Sequence, residues 1–411
     1  MLVAERERNL GSRLVSQLRS GAWLNRNRVL AYGRILLIVE LLGLLAIAAG
    51  TYGLYVKLEA PSSTDFISFY AAGRLADLGT PTLAYDPSAH FSMEQQVFGD
   101  SNLPYAYFFF YPPTFLLLCA VLALLPYLAS FAVWIAAGIW VFAISMRAIL
   151  KEWALTAALF SFPPAVETIG IGQNSLLTAG LLGAGTYLVD RSPVGAGLLF
   201  GAIVYKPHLL IMVPVALIAG RRWRALAAMV GSAAGIVAIS ALVFGSDTWF
   251  VFLARAGGAA DSFSSGRVGF AGLVSLFAAA RLLGAGISFA VALQGLVLLA
   301  AAILTALVWW RGQSLAIRSL ALIAATLISP PIILFYDLLP AAVAVAWLSI
   351  DAKRTGFLPW EKTILCIVWI VPILSRGAGI AWGVPLGPVA TIGLFALAAI
   401  RARNEMRVAR T

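Results

Sequence analysis

The sequence predicts an all-α, polytopic integral membrane protein of about twelve transmembrane helices, within a range of about ten to thirteen, with a helical first external loop. Three observations carry that expectation. Of the 411 residues, 61% are apolar and only 11% charged, and mean hydropathy is +0.91, a balance that no water-soluble domain of this size tolerates. Long apolar stretches recur along the whole chain, and crossing about 30 Å of hydrocarbon takes roughly 20 apolar residues per helix. The basic residues gather at the ends of those stretches rather than on a soluble face, so the net charge of +11 reflects membrane topology and not nucleic-acid binding.

In chain order, residues 1–34 form a basic N-terminal segment, 35–400 a single polytopic membrane domain and 401–411 a basic tail. Leu10, Leu14 and Leu18 with Arg13 and Arg19 fit a short interfacial helix and equally a disordered basic tail. The first span, 35–56, lacks a small-residue cleavage site and reads as an uncleaved anchor. An external loop, 58–107, follows, with Pro61, Ser62, Ser63 and Thr64 as cap chemistry ahead of Asp65 and a short helix ending near Gly79. Asp65 falls in the first turn of that helix, where the dipole favours an ionised carboxylate.

Phe108 to Met146 is long enough for two spans; further spans fit 154–189 as a pair, 194–219, 225–246, 282–310, 315–350 as a broken pair, 362–375 and 380–400. A second external segment runs from about 246 to 272.

Seven arginines (Arg6, Arg8, Arg13, Arg19, Arg26, Arg28 and Arg34) precede or open the first span, whereas the 58–107 loop carries Arg74 against six acids. Both termini are therefore expected in the cytoplasm of a bacterial-type plasma membrane, with the loop outside. In a twelve-span count Arg221, Arg222, Arg224, Arg311, Lys353, Arg354 and Arg401 fall inside, but Arg147 and Lys151 do not. Cys119 and Cys366, both in apolar stretches, make neither a disulfide framework nor a metal site. No internal repeat of the kind that builds many transporters is visible.

Ionisable residues inside apolar runs carry the most information, since each costs at least ~2.5 kcal/mol at the bilayer centre. Between Arg191 and Arg221 only Lys206 and His208 are ionisable, and Pro207 between them predicts two half-helices meeting at a turn that presents both to an anionic ligand. Asp337 is alone between Arg318 and Asp351, and is either the structural partner of Lys206 or a ligand for a sugar hydroxyl. Glu167 is alone between Glu152 and Asp190, with Gln173 and Asn174 after it as sugar or phosphate ligands or as helix caps. Glu40 reads as packed or snorkelling. The pairs Pro112 with Pro113, Pro163 with Pro164 and Pro330 with Pro331 break helices, which at membrane depth implies backbone lining a cavity. The loop adds Tyr70, Arg74, Tyr85 and Asp86, then the aromatic entry YAYFFFYPP at 105–113.

The segments DFISFYAAGRLADLGTPTLAYDP (65–87), YPP (111–113), GQNSLL (172–177), YKPHLL (205–210) and SPPIILFYDLLP (329–340), in that order, resemble glycosyltransferase family 87. The resemblance implies the integral-membrane GT-C fold and a sugar, mannose in the best-known members, taken from a polyprenyl-phosphate donor. It implies Asp65 as the base of an inverting transfer at the external face. Lys206, His208 and Arg74 would meet the donor phosphate, and Tyr70, Tyr85, Asp86, Gln173, Asn174, Tyr336 and Asp337 the substrates. The implied partners are membrane lipids, the lipid-linked donor and a glycolipid or glycan acceptor, with no cofactor. Histidines number two, His90 and His208, and no Asp-X-Asp triplet occurs, so no metal-bound nucleotide-sugar site is expected.

Two other classes compete. A transporter or flippase of lipid-linked sugars would use Lys206, Asp337 and Glu167 as a substrate path. A membrane polysaccharide polymerase or ligase would lean on external arginines, for which Arg74, Arg255 and Arg267 are candidates.

Overall fold

A computed structural model describes residues 12–46, 65–99, 103, 106–264, 266 and 269–408. The cap residues 61–64, Leu10, Arg6, Arg8, Arg267, residues 47–56 of the first expected span and the last three residues of the tail lie outside it. Apart from one isolated bridge, between Leu273 and Leu334, the described residues form helices and turns.

Residues 12–20 form α1, followed by α2 (Arg26–Ala46), α3 (Asp65–Asp77), α4 (Pro87–Phe98), α5 (Pro113–Ala123) and α6 (Tyr127–Leu150). Next come α7 (Trp153–Ala158), α8 (Pro163–Ile171), α9 (Ser175–Leu188), α10 (Pro193–Gly201), α11 (Met212–Ala219), α12 (Trp223–Phe244) and α13 (Ser246–Ser264). The chain ends with α14 (Leu276–Leu282), α15 (Ile287–Trp310), α16 (Leu315–Ile328), α17 (Pro340–Thr355), α18 (Glu361–Trp382) and α19 (Gly387–Val408). Among the described residues six helices are long and apolar enough to cross a membrane: α2, α6, α12, α15, α17 with its preceding turn, and α18. The pair α7–α8, bent by 71° ahead of Pro163 and Pro164, makes a seventh if counted as one span.

Burial follows from composition around each helix. The helix α16 buries every residue from Ala316 to Ile328, Arg318 included, whereas α2 buries none, so its apolar surface is left for lipid. Where backbone leaves helical form, protein rather than lipid satisfies it. After α16 the proline pair Pro330–Pro331 stops the helix; Gln294 donates to the Ile328 and Ser329 carbonyls at 2.9 and 2.8 Å, Ser275 donates to Pro331 O at 2.6 Å, and Val274 N–H donates to Ile333 O at 2.9 Å.

Charge pairs mark one end of the bundle. Asp190, after α9, pairs with Arg222 at 2.7 Å and with Arg318. Arg401 of α19 pairs with Asp351 at 2.7 Å and Glu361 at 2.5 Å, tying α17, α18 and α19 together. Arg26 pairs with Glu152, and Lys362 donates to Leu24 O at 2.8 Å. The Arg26–Glu152 pair brings Arg147 and Lys151 to the same end as Arg26.

That corrects the expected topology. The 108–146 stretch contains one long helix, α6, because α5 has 11 residues, about 16 Å, too short to cross. The 194–219 stretch is not one span: α10 rises to Lys206, and α11 returns to Arg222 at the charged end. The two differences offset each other, so Arg222 lies at the charged end of the bundle with Arg26 and Arg401.

Candidate active site

Opposite the charge pairs, helix starts and proline-forced turns converge. Asp65 opens α3, which ends at Asp77 with Gly79 in the left-handed region at φ +77°. An aromatic cluster fixes the helix: Phe66 packs edge-on to Tyr127 and Phe131 at 5.4 and 5.3 Å between centroids, and Phe69 on Phe115 at 4.9 Å. A close approach helps, since a Cβ on Gly73 would lie 2.1 Å from the Cys119 carbonyl oxygen of α5.

The turn between α8 and α9 brings Gln173 to Asp65. Gly172 turns the chain at φ +74°, and its carbonyl accepts from Trp134 Nε1 at 2.9 Å. Gln173 Nε2 then donates to Asp65 Oδ2 at 2.8 Å, while its Oε1 accepts from the Tyr111 hydroxyl at 3.1 Å and from Asn174 N–H at 3.2 Å. These acceptances orient the amide so that its NH2 faces the carboxylate. Asn174 is fully buried beside Tyr111.

The helix start favours an ionised Asp65, and burial opposes it. Burial pushes its carboxyl above the ordinary carboxylate range, and the Gln173 hydrogen bond, Arg376 and Lys206 offset this only in part.

Lys206 sits at the break between α10 and α11, flanked by the 3-10 turns Ala202–Tyr205 and Pro207–Leu209. It is 2% exposed, donates to Asp337 Oδ1 at 2.5 Å and lies 5.2 Å from the Tyr336 ring centroid and 6.0 Å from that of Tyr111. Asp337 also accepts from Ser175 Oγ at 3.3 Å and, through Oδ2, from Leu334 N–H at 3.3 Å. Of the two roles open to Asp337, partner of Lys206 is the one this geometry displays. His208 is half-buried within electrostatic reach of both, and the Thr178 and Tyr205 hydroxyls hydrogen-bond at 2.7 Å.

Four expected site residues lie elsewhere. Arg74, nine residues along α3, is about 13 Å from Asp65 by helical rise and has Tyr70 and Asp77 as its charged or polar neighbours. Tyr70 donates to Leu125 O at 2.8 Å. Tyr85 packs between Phe109 and Phe252. Asp86 caps α4, accepting from Ser88 and Ala89 N–H at 3.1 and 2.9 Å, and faces Arg255 at 3.6 Å. A short polar residue before Pro87 is a helix cap first, and Tyr70 and Tyr85 lie within the aromatic cluster around α3.

Two residues enlarge the site. Glu167 of α8 acts electrostatically on Tyr336 and is itself acted on by Asp65 and Asp337, and its Oε2 is buried without a hydrogen bond. Arg376 of α18 acts on both Asp65 and Glu167. Sequence reasoning passed over Arg376, although it is the one charged residue between Lys362 and Arg401.

The assembly offers a desolvated carboxylate that can take a proton, together with the buried Lys206–Asp337 pair and the amides of Gln173 and Asn174. A family model described as Glycosyltransferase family 87 matches residues 109–330, just over half of the chain. The matched region holds Tyr111, Glu167, Gln173, Asn174, Lys206 and His208, whereas Asp65, Tyr336, Asp337 and Arg376 lie outside it. No curated protein and no solved structure matches the chain.

Proposed function

The chain belongs to glycosyltransferase family 87, and on that premise we propose that it is a GT-C membrane enzyme moving a hexose, in the first instance mannose, from a polyprenyl-phosphate donor to a lipid or glycan acceptor at the external face. The observation that carries the reading is the Asp65 carboxylate, held by Gln173 at 2.8 Å within a site that also contains Lys206 and Asp337. Asp65 accepts the proton of an acceptor hydroxyl as its oxygen attacks the anomeric carbon. The bond from that carbon to the lipid phosphate breaks in the same displacement, inverting the configuration. Positive charge near the departing phosphate offsets the charge that it gains, and Lys206 is a residue expected from the sequence to contribute it. Family membership speaks for bond formation rather than for a transporter or flippase.

The clustering of basic residues at the end opposite Asp65 supports a cytoplasmic location for that end and a plasma-membrane enzyme acting outside.

The test is transfer from radiolabelled short-chain polyprenyl-phosphate mannose to a membrane-lipid extract, with wild type and Asp65→Asn purified in parallel. Wild type should give labelled product and the variant about 10²–10⁴-fold less. Equal rates would remove Asp65 as base. If wild type is silent with every polyprenyl-phosphate sugar offered, the donor class is wrong.

A further inference from the structure

The cation expected to meet the phosphate, Lys206, is already matched. It is enclosed, with Asp337 at 2.5 Å and two aromatic rings over its ammonium. Arg74 belongs to the far end of α3. The site therefore needs another positive group to receive a phosphate beside the carboxyls of Asp65 and Glu167.

Three independent pieces of geometry put Arg376 there. First, α18 starts at the charged end, where Glu361 pairs with Arg401 at 2.5 Å. Fifteen residues of helix then lift Arg376 about 22 Å from Glu361. Asp337 stands roughly 20 Å above Asp351, the other partner of Arg401, so Arg376 and Asp337 are level. Second, α18 comes so close to the Phe270–Gly272 turn that a Cβ on Gly379 would lie 2.8 Å from Ala271 Cβ. That turn runs into Leu273, which bridges to Leu334 beside the turn bearing Asp337. Third, α18 packs on α8, which carries Glu167.

Arg376 stands at the edge of the buried face of α18: Pro372 and Gly379, four residues before and three after it, are buried, whereas Ile373 and Ile380, three before and four after, are exposed, as is Arg376 itself. Among the described residues it makes no ion pair and no hydrogen bond, although it lowers the Asp65 pKa more strongly than Lys206 does. A guanidinium with its donors open, next to desolvated carboxyls, suits a planar or tetrahedral oxyanion, and arginine holds phosphate by paired N–H bonds.

We propose that Arg376 binds the phosphate of the lipid donor, and of the lipid phosphate that leaves, across the site from Asp65, a deepening that rests on the lipid-phosphate reading above. Phosphate of this kind could also come from a bilayer phospholipid, so the test separates the two sources. Undecaprenyl phosphate is titrated into purified wild type, Arg376→Gln and Arg376→Lys in phosphatidylcholine nanodiscs, with phosphatidylglycerol as competitor. Melting is recorded for each variant.

Wild type should bind undecaprenyl phosphate, Arg376→Gln about tenfold more weakly or worse with its melting unchanged, and Arg376→Lys in between, with no displacement by phosphatidylglycerol. Equal affinity of Arg376→Gln and wild type overturns the assignment and leaves the proposed function standing. Displacement by phosphatidylglycerol makes Arg376 a headgroup anchor and overturns the donor role. Wild type that binds no undecaprenyl phosphate sinks the lipid-phosphate reading and this assignment with it.

Discussion

Asp65 is set by a contest between burial, which favours its neutral form, and the Gln173 amide, which favours its charged form. A base works only when ionised, so transfer should fall as pH drops through the raised pKa, and the acid limb should lie above the ordinary carboxylate range. Replacing Gln173 with Leu removes a group that lowers that pKa; kcat/KM against pH should show the acid limb moving further up, and an unmoved limb would detach the limb from Asp65. Lys206 poses the opposite problem, a buried charge with its partner. In Lys206→Met the Asp337 carboxylate is left unpaired in the interior, and detergent-solubilised protein should lose about 3–5 kcal/mol of stability. In the double variant Lys206→Met/Asp337→Leu stability should return while transfer stays low, because Asp337 also orders Ser175 and the Tyr336 turn beside Asp65. Recovery of full transfer would make the pair purely structural.

At the scale of elements, the site is built from interruptions. Pro207 follows Lys206 between the 3-10 turns that separate α10 from α11, Pro330 and Pro331 stop α16 ahead of Asp337, and Gly172 turns α8 into α9 at Gln173. The proline breaks were legible in the sequence because proline removes a donor and excludes continued helix, and Lys206 and Asp337 because a lone ionisable group in an apolar run is costly. What joins the breaks was not legible. Gly172 has φ +74°, and a Cβ there would meet Phe66 Cβ at 2.5 Å and Phe131 at 2.8 Å. Gly172→Ala should therefore lower the melting temperature and displace Gln173, cutting transfer at least tenfold, with the overpacking itself worth about 1–3 kcal/mol. Normal activity would mean that the turn can move aside.

For the molecule as a whole, the pairs Arg26–Glu152, Arg222–Asp190 and Arg401–Glu361 put the basic helix ends on one side and Asp65 on the other. In intact cells a Ser88→Cys variant, on the exposed first turn of α4, should react with a membrane-impermeant maleimide, whereas Arg403→Cys should react only after permeabilisation; the reverse pattern would invert the topology. Composition alone determined that the chain is helical and membrane-embedded, since only internally bonded backbone is stable in lipid. Lys206 and Asp337, lone ionisable residues in apolar runs, stood out by their energetic cost, whereas Asp65 stood out by its place at a helix start and by the family resemblance. Tertiary structure decided the rest. Whether an apolar stretch crosses or turns back, as at 194–219, depends on which charged partner its far end finds, and Arg222 finds Asp190. What a polar residue meets depends on neighbours distant in the chain: Asp86 turned to its own helix start, while Arg376, 311 residues after Asp65, came within electrostatic reach of it. Sequence registers the cost of a buried charge, but the charge that answers it is chosen only when the helices pack.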